Sequence, residues 1–95
     1  SISDTESTVL VQARAEWANN TTGNRRLSIT TGVGHTVEAT VTQVATGGSE
    51  QTSQIVSLMR RLESGDADLQ FAVQVEQNSG GNLNVDVNFT LVRIN

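Results

Sequence analysis

Thr8-Val9-Leu10-Val11-Gln12-Ala13-Arg14-Ala15-Glu16-Trp17 is the stretch on which the fold turns. Read with a period of two, Val9, Val11, Ala13, Ala15 and Trp17 alternate with Leu10, Gln12, Arg14 and Glu16, which describes a half-buried strand. Read with a helical period, Val9, Leu10, Ala13 and Trp17 share one face. Periodicity fits both templates. Two local features favour the helix: Ser3 and Glu6 have the spacing of a capping box, and Ala-Arg-Ala-Glu is helix-forming composition. The expected helix ends near Asn19 or Asn20, before Thr21-Thr22-Gly23.

Further along, Leu27 and Ile29 alternate with Arg26, Ser28 and Thr30, and Val37, Ala39 and Val41 alternate with Thr36, Glu38, Thr40 and Thr42. Thr31-Gly32-Val33-Gly34-His35 between them supplies a turn, so this segment reads as a β-hairpin. Gly47-Gly48 separates it from Ser49 to Ser64, which reads as a second helix. Ser49 is placed as N-cap, Glu50 sits in the first turn, Ile55, Met59 and Leu62 form a stripe, Arg60-Arg61 lie in the last turns, and Gly65 can end the helix. Phe71, Val73 and Val75 then alternate with polar neighbours, as do Leu83, Val85, Val87, Phe89 and Leu91. The link Gln77-Asn78-Ser79-Gly80-Gly81-Asn82 predicts that these two strands form a second antiparallel hairpin.

The resulting order is α-β-β-α-β-β in one α+β domain over residues 1–95, with helix-hairpin halves of about 1–47 and 48–95. It predicts one four-stranded antiparallel sheet with two helices on one face. The other face would carry Arg26, Ser28, Thr40, Thr42, Gln74, Glu76, Asn84, Asp86 and Asn88.

Composition narrows the function. The 95 residues include no cysteine, lysine, proline or tyrosine, and all six cations are arginine. Without cysteine and with one histidine, no disulfide framework, thiolate metal site or histidine cluster can be built. A net charge of −4 argues against nucleic acid, which needs clustered cations. No apolar run approaches the roughly 18 residues of a membrane span, and residues 1–8 do not read as a signal peptide. No catalytic, cofactor-binding or metal-binding residue is assigned.

The individual candidates fit ordinary roles. His35 reads as a polar turn residue, and Thr31-Gly32-Val33-Gly34 leads into a strand, not into the helix a phosphate loop needs. Arg25-Arg26 and Arg60-Arg61 would make an anion site only if the fold joined them; otherwise they are solvated or pair with Glu63, Asp66 and Asp68. Those carboxylates lack the spacing of a calcium loop. Trp17 reads as core in preference to an exposed binding anchor. The sequons at Asn19, Asn20 and Asn88 are taken as chance.

From Thr36 to Arg93, a strand, a Gly-containing link, the helix pattern of Ile55, Met59 and Leu62, and a closing hairpin resemble the periplasmic ferredoxin-like domains of inner-membrane platform proteins. These are the PilO and PilN kind of type IV pilus systems and the M and L components of type II secretion. The resemblance implies a two-layer ferredoxin-like fold, a periplasmic location, and a non-enzymatic scaffold that forms homodimers or pairs with a similarly folded protein. Residues 1–95 include no membrane helix or coiled coil of the kind such proteins carry, so the segment is expected either to be a soluble part of a longer protein or to share the fold alone, and no nucleic-acid or membrane contact is expected of it. Two other readings stay open. One is a ferredoxin-like small-molecule sensor; the other, if residues 8–18 form a strand, is a β-rich shell-forming or capsid-like subunit. An acylphosphatase-like enzyme would need an anion cradle around Arg25 and Arg26 that the sequence does not supply.

Overall fold

A computed structural model of the chain describes residues 7–18, 22–44, 52–63, 65–66 and 69–94. They form six strands: β1 (Thr8–Trp17), β2 (Asn24–Thr31), β3 (Thr36–Val44), β4 (Thr52–Arg61), β5 (Phe71–Gln77) and β6 (Val85–Arg93). Two three-stranded antiparallel sheets result, ordered β4-β1-β6 and β3-β2-β5. The expected α+β, ferredoxin-like arrangement is therefore overturned. No helix occurs among the described residues, and the single four-stranded sheet is replaced by two sheets.

β1 takes the strand reading because it is the middle strand of its sheet. Its odd-numbered row, Val9, Val11, Ala13, Ala15 and Trp17, is buried without exception. Backbone groups on both sides of β1 are paired, to β4 and to β6, so the local helix preference of Ala-Arg-Ala-Glu is outweighed by tertiary pairing. Ser3 and Glu6, the expected capping box, lie outside the described residues.

The second predicted helix is also a strand. In β4 the buried row is Thr52, Gln54 and Val56, with Leu58 and Arg60 half-buried, while Ser53, Ile55, Ser57, Met59 and Arg61 face solvent. Ile55 and Met59, expected on the core face of a helix, are 56 % and 64 % exposed. The true alternation is concealed because two of its three buried positions are polar. Gly65 does adopt positive φ (98°), as expected, but in the link from β4 to β5, not at a helix end. Ser49 and Glu50 fall outside the described residues.

Of the two predicted hairpins, β2–β3 forms, closed by Thr31–His35 with positive φ at Gly32 and His35. The other does not. β5 pairs with β2 and β6 pairs with β1, so the glycine-bearing link between them crosses from one sheet to the other. The predicted wet face divides accordingly. Arg26, Ser28, Thr40, Thr42, Gln74 and Glu76 share the outer face of the β3-β2-β5 sheet, whereas Asp86 and Asn88 belong to the outer face of the other.

Between the sheets lies a small core of Val9, Val11, Ala13, Ala15, Trp17, Leu27, Ile29 and Val56. Ala13 and Ala15, at two successive inward positions of β1, are both fully buried. At one end the core holds a polar bridge. Trp17 Nε1–H donates to Gln54 Oε1 (2.8 Å), and Gln54 Nε2 donates to the carbonyls of Arg25 (2.9 Å) and Val41 (3.4 Å). Four strands meet at one glutamine, whose burial is tolerated because both ends of its amide are hydrogen-bonded.

Near that end, Gly23 (φ 82°) lets the chain turn into β2 against Asn78. Asn24 N–H donates to Asn78 Oδ1 (2.6 Å), and a Cβ on Gly23 would lie 2.7 Å from the Asn78 carbonyl oxygen. Strained backbone and steric overlap act together here, so Gly23→Ala is expected to cost about 1–3 kcal/mol. Urea denaturation followed by far-UV circular dichroism measures it; an unchanged midpoint would contradict the close approach.

Candidate functional site

The long edges of the sandwich differ. On one side β3 and β4 approach each other across the layers, and on the other β5 and β6 barely meet.

The β3/β4 side is fastened. A bulge between Ile29 and Thr30 leaves Glu38 as the extra residue of β3, re-aiming its carboxylate. Glu38 Oε2 accepts from Thr31 Oγ1 (2.6 Å) and lies 3.6 Å from Arg60, which also faces Asp66 at 3.6 Å. Asp66 in turn accepts from the Glu63 backbone N–H (2.7 Å). All three charged side chains are under one-third exposed, so this network is less screened than a surface pair.

The β5/β6 side is open. Val85, Val87, Phe89 and Leu91 stand in register with Trp17, Ala15, Ala13 and Val11 of β1 and point into the sandwich. Ala13, Ala15 and Val11 are fully buried, yet Val87 and Phe89 are each 41 % exposed and Leu91 is 47 % exposed. The cause is geometric: β2 covers β1, whereas β5 and β6 barely meet, so of this row only Val85 at the start of β6 packs against the core. Phe71, Val73 and Val75 on β5 remain half-buried for the same reason. Apolar rows of two strands thus line one open flank. On the outside of the same sheet, Leu10 is flanked in register by Met59 and Val92, which are also exposed.

The other sequence candidates are dispersed. His35 is exposed in the β2–β3 turn, its N–H donating to the Gly32 carbonyl (3.2 Å). Arg25 is fully buried, with its guanidinium donating to the Thr22 carbonyl (2.7 Å), and Arg26 pairs loosely with Glu76 (3.5 Å) on the surface. Arg25 lies near Gln54 and Arg60 sits six residues further along β4, about 20 Å away at strand rise, so the arginine pairs do not converge on one anion. Trp17 is core, as expected. Asp68, Asn19 and Asn20 lie outside the described residues, and Asn88 is on the outer row of β6.

Among the described residues no three His, Asp or Glu side chains gather to hold a metal ion. A cleft lined by Asn24, Arg26, Thr42, Glu76, Gln77 and Asn78 has a volume of about 180 Å³. Ligand pockets are typically about 300–1,000 Å³ and largely apolar.

Gln54 is the structurally decisive residue that the sequence did not flag. Its only local signal was a polar residue at an inward position of a strand, legible once β4 is recognised as one. Comparison with protein-family models, curated proteins and solved structures finds no match to this chain.

Proposed function

We propose that this chain is a non-enzymatic structural domain that works by associating with copies of itself or with a similarly built partner through its sheet edges. A shell-forming or capsid-like β subunit has this kind of role. The supporting observation is the half-exposed apolar row of β6 beside a strand edge that no described residue pairs. Unpaired N–H and C=O groups with apolar side chains next to them invite another strand. The usual protections are missing, since the chain has no lysine or proline and β6 runs bulge-free along β1.

The pilus and secretion platform reading adds no weight. The residues that carried the resemblance, above all 49–64, were to form a helix, and β4 stands there instead. The sensor reading is disfavoured by the small, polar clefts.

Sedimentation velocity across about 10–500 μM tests the proposal, a range set by interfaces smaller than the roughly 800 Å² per partner of stable complexes. A concentration-dependent rise in sedimentation coefficient is expected. A monomer throughout that range would overturn association by copies of the chain.

A further inference from the structure

We infer that the occupant of the open flank is a second copy of this chain, joined β6 to β6 about a twofold axis centred on Asn88. This inference rests on the assembly reading and specifies its interface.

The backbone sets the first condition. Ala18 N–H donates to the Asn84 carbonyl (2.9 Å) and Ile94 N–H to the Thr8 carbonyl (2.9 Å), so the even-numbered residues of β6 turn their polar groups towards β1. By antiparallel alternation, Val85, Val87, Phe89 and Leu91 turn theirs to the edge that no described residue pairs. These four residues are also the ones whose apolar side chains line the open flank. Pairing this edge would satisfy the backbone and extend the apolar face in the same step.

Register sets the second. Strands paired antiparallel must match residues on the same face, so the inner row has to meet an inner row. With the axis at Asn88, Val87 opposes Phe89 of the second copy and Val85 opposes Leu91. Asp86 opposes Thr90, so no like charges meet. Centring on Phe89 would instead place Arg93 against Val85 on the apolar face. The Asn88 register keeps Arg93 outside the paired segment.

Size sets the third. Val87, Phe89 and Leu91 are each less than half exposed, so the apolar surface they offer is well below the roughly 800 Å² per partner of a tight complex. The association expected is therefore micromolar. Its product is one six-stranded sheet, β4-β1-β6 continued by the same strands of the second copy in reverse order.

The absence of cysteine makes the test specific. At the axis the two Asn88 positions form a non-hydrogen-bonded pair, with Cα atoms about 4.5 Å apart, which a disulfide can span. Asn88→Cys in the full chain is expected to give a covalent dimer under mild oxidation, whereas Ser57→Cys, on the free edge of β4, is not. Val87→Pro removes an edge N–H without touching the β1 ladder and should raise the dimer dissociation constant at least about tenfold. Ser57→Pro makes the same change on the β4 edge and should alter it less than about twofold, with thermal midpoints confirming that both variants fold. If Val87→Pro fails to fold, the cysteine pair decides. Cross-linking through Ser57→Cys but not Asn88→Cys, or a dimer indifferent to Val87→Pro, overturns the β6 interface and leaves association standing. A wild-type chain that stays monomeric overturns both.

Discussion

Trp17→Ala is expected to remove about 3–5 kcal/mol of folding stability, a large part of what a domain of this length possesses. Trp17 is 1 % exposed, the largest side chain in a core of eight apolar residues that includes two alanines, so no neighbour is large enough to fill the space. In register it lies between Thr52 of β4 and Val85 of β6. Truncation also strips Gln54 Oε1 of its donor, leaving a buried acceptor unpaired. Gln54 reaches β2 and β3 through its amide nitrogen, so slackening the glutamine loosens both sheets at that end. A fall in melting temperature of more than about 10 °C should follow, at roughly 4–8 °C per kcal/mol for a domain of this size. Far-UV circular dichroism is the readout, because the substitution removes the only tryptophan. Trp17→Phe keeps most of the volume and isolates the indole N–H, with an expected loss of about 1–3 kcal/mol. A Trp17→Ala variant within 1 kcal/mol of wild type would mean that the polar bridge and its surrounding core do not hold the sheets together.

Local signals carried the reading where the partner is also local. The β2–β3 hairpin needs only two alternating runs and a glycine turn, and it forms as expected. The strand at 85–91 was equally legible from Val85, Val87, Phe89 and Leu91, but its partner was not. A glycine-rich link serves a hairpin or a crossing between layers equally well, and β1 is some seventy residues away in sequence. The two false helices have different causes. In β1 both periods fit, and burial of both sides of the backbone decided for the strand. In β4 the inward row carries Thr52 and Gln54, so the hydrophobic pattern marked the wrong residues. The candidate surface was half legible. The unprotected edges followed from missing lysine and proline, yet which edge is bare depends on two sheets splaying apart at β5 and β6. That is a property of tertiary packing.

Exchanging neighbours in β4 gives the sharpest contrast between the two readings of that segment. A helix over 49–64 places Ile55 in its core stripe, while the observed strand points Ile55 to solvent and buries Val56 opposite Ala13. Val56→Asp would put a carboxylate between the sheets beside Ala13 and the apolar β2 core residues Leu27 and Ile29. Taking a carboxylate out of water at such a site, and losing the valine's packing with it, is expected to cost about 3–5 kcal/mol, enough to unfold much of the population at room temperature. Ile55→Asp places the same carboxylate on the outer face, opposite Arg14 in register, and should change stability by no more than about 0.5 kcal/mol. The cross-strand arginine gives the new charge a favourable neighbour, so a slight gain is as acceptable as no change. Paired urea denaturation curves provide the comparison. A severe loss at Ile55 with tolerance at Val56 would restore the helix; the opposite ranking follows from a strand whose polar inward residues disguise its period.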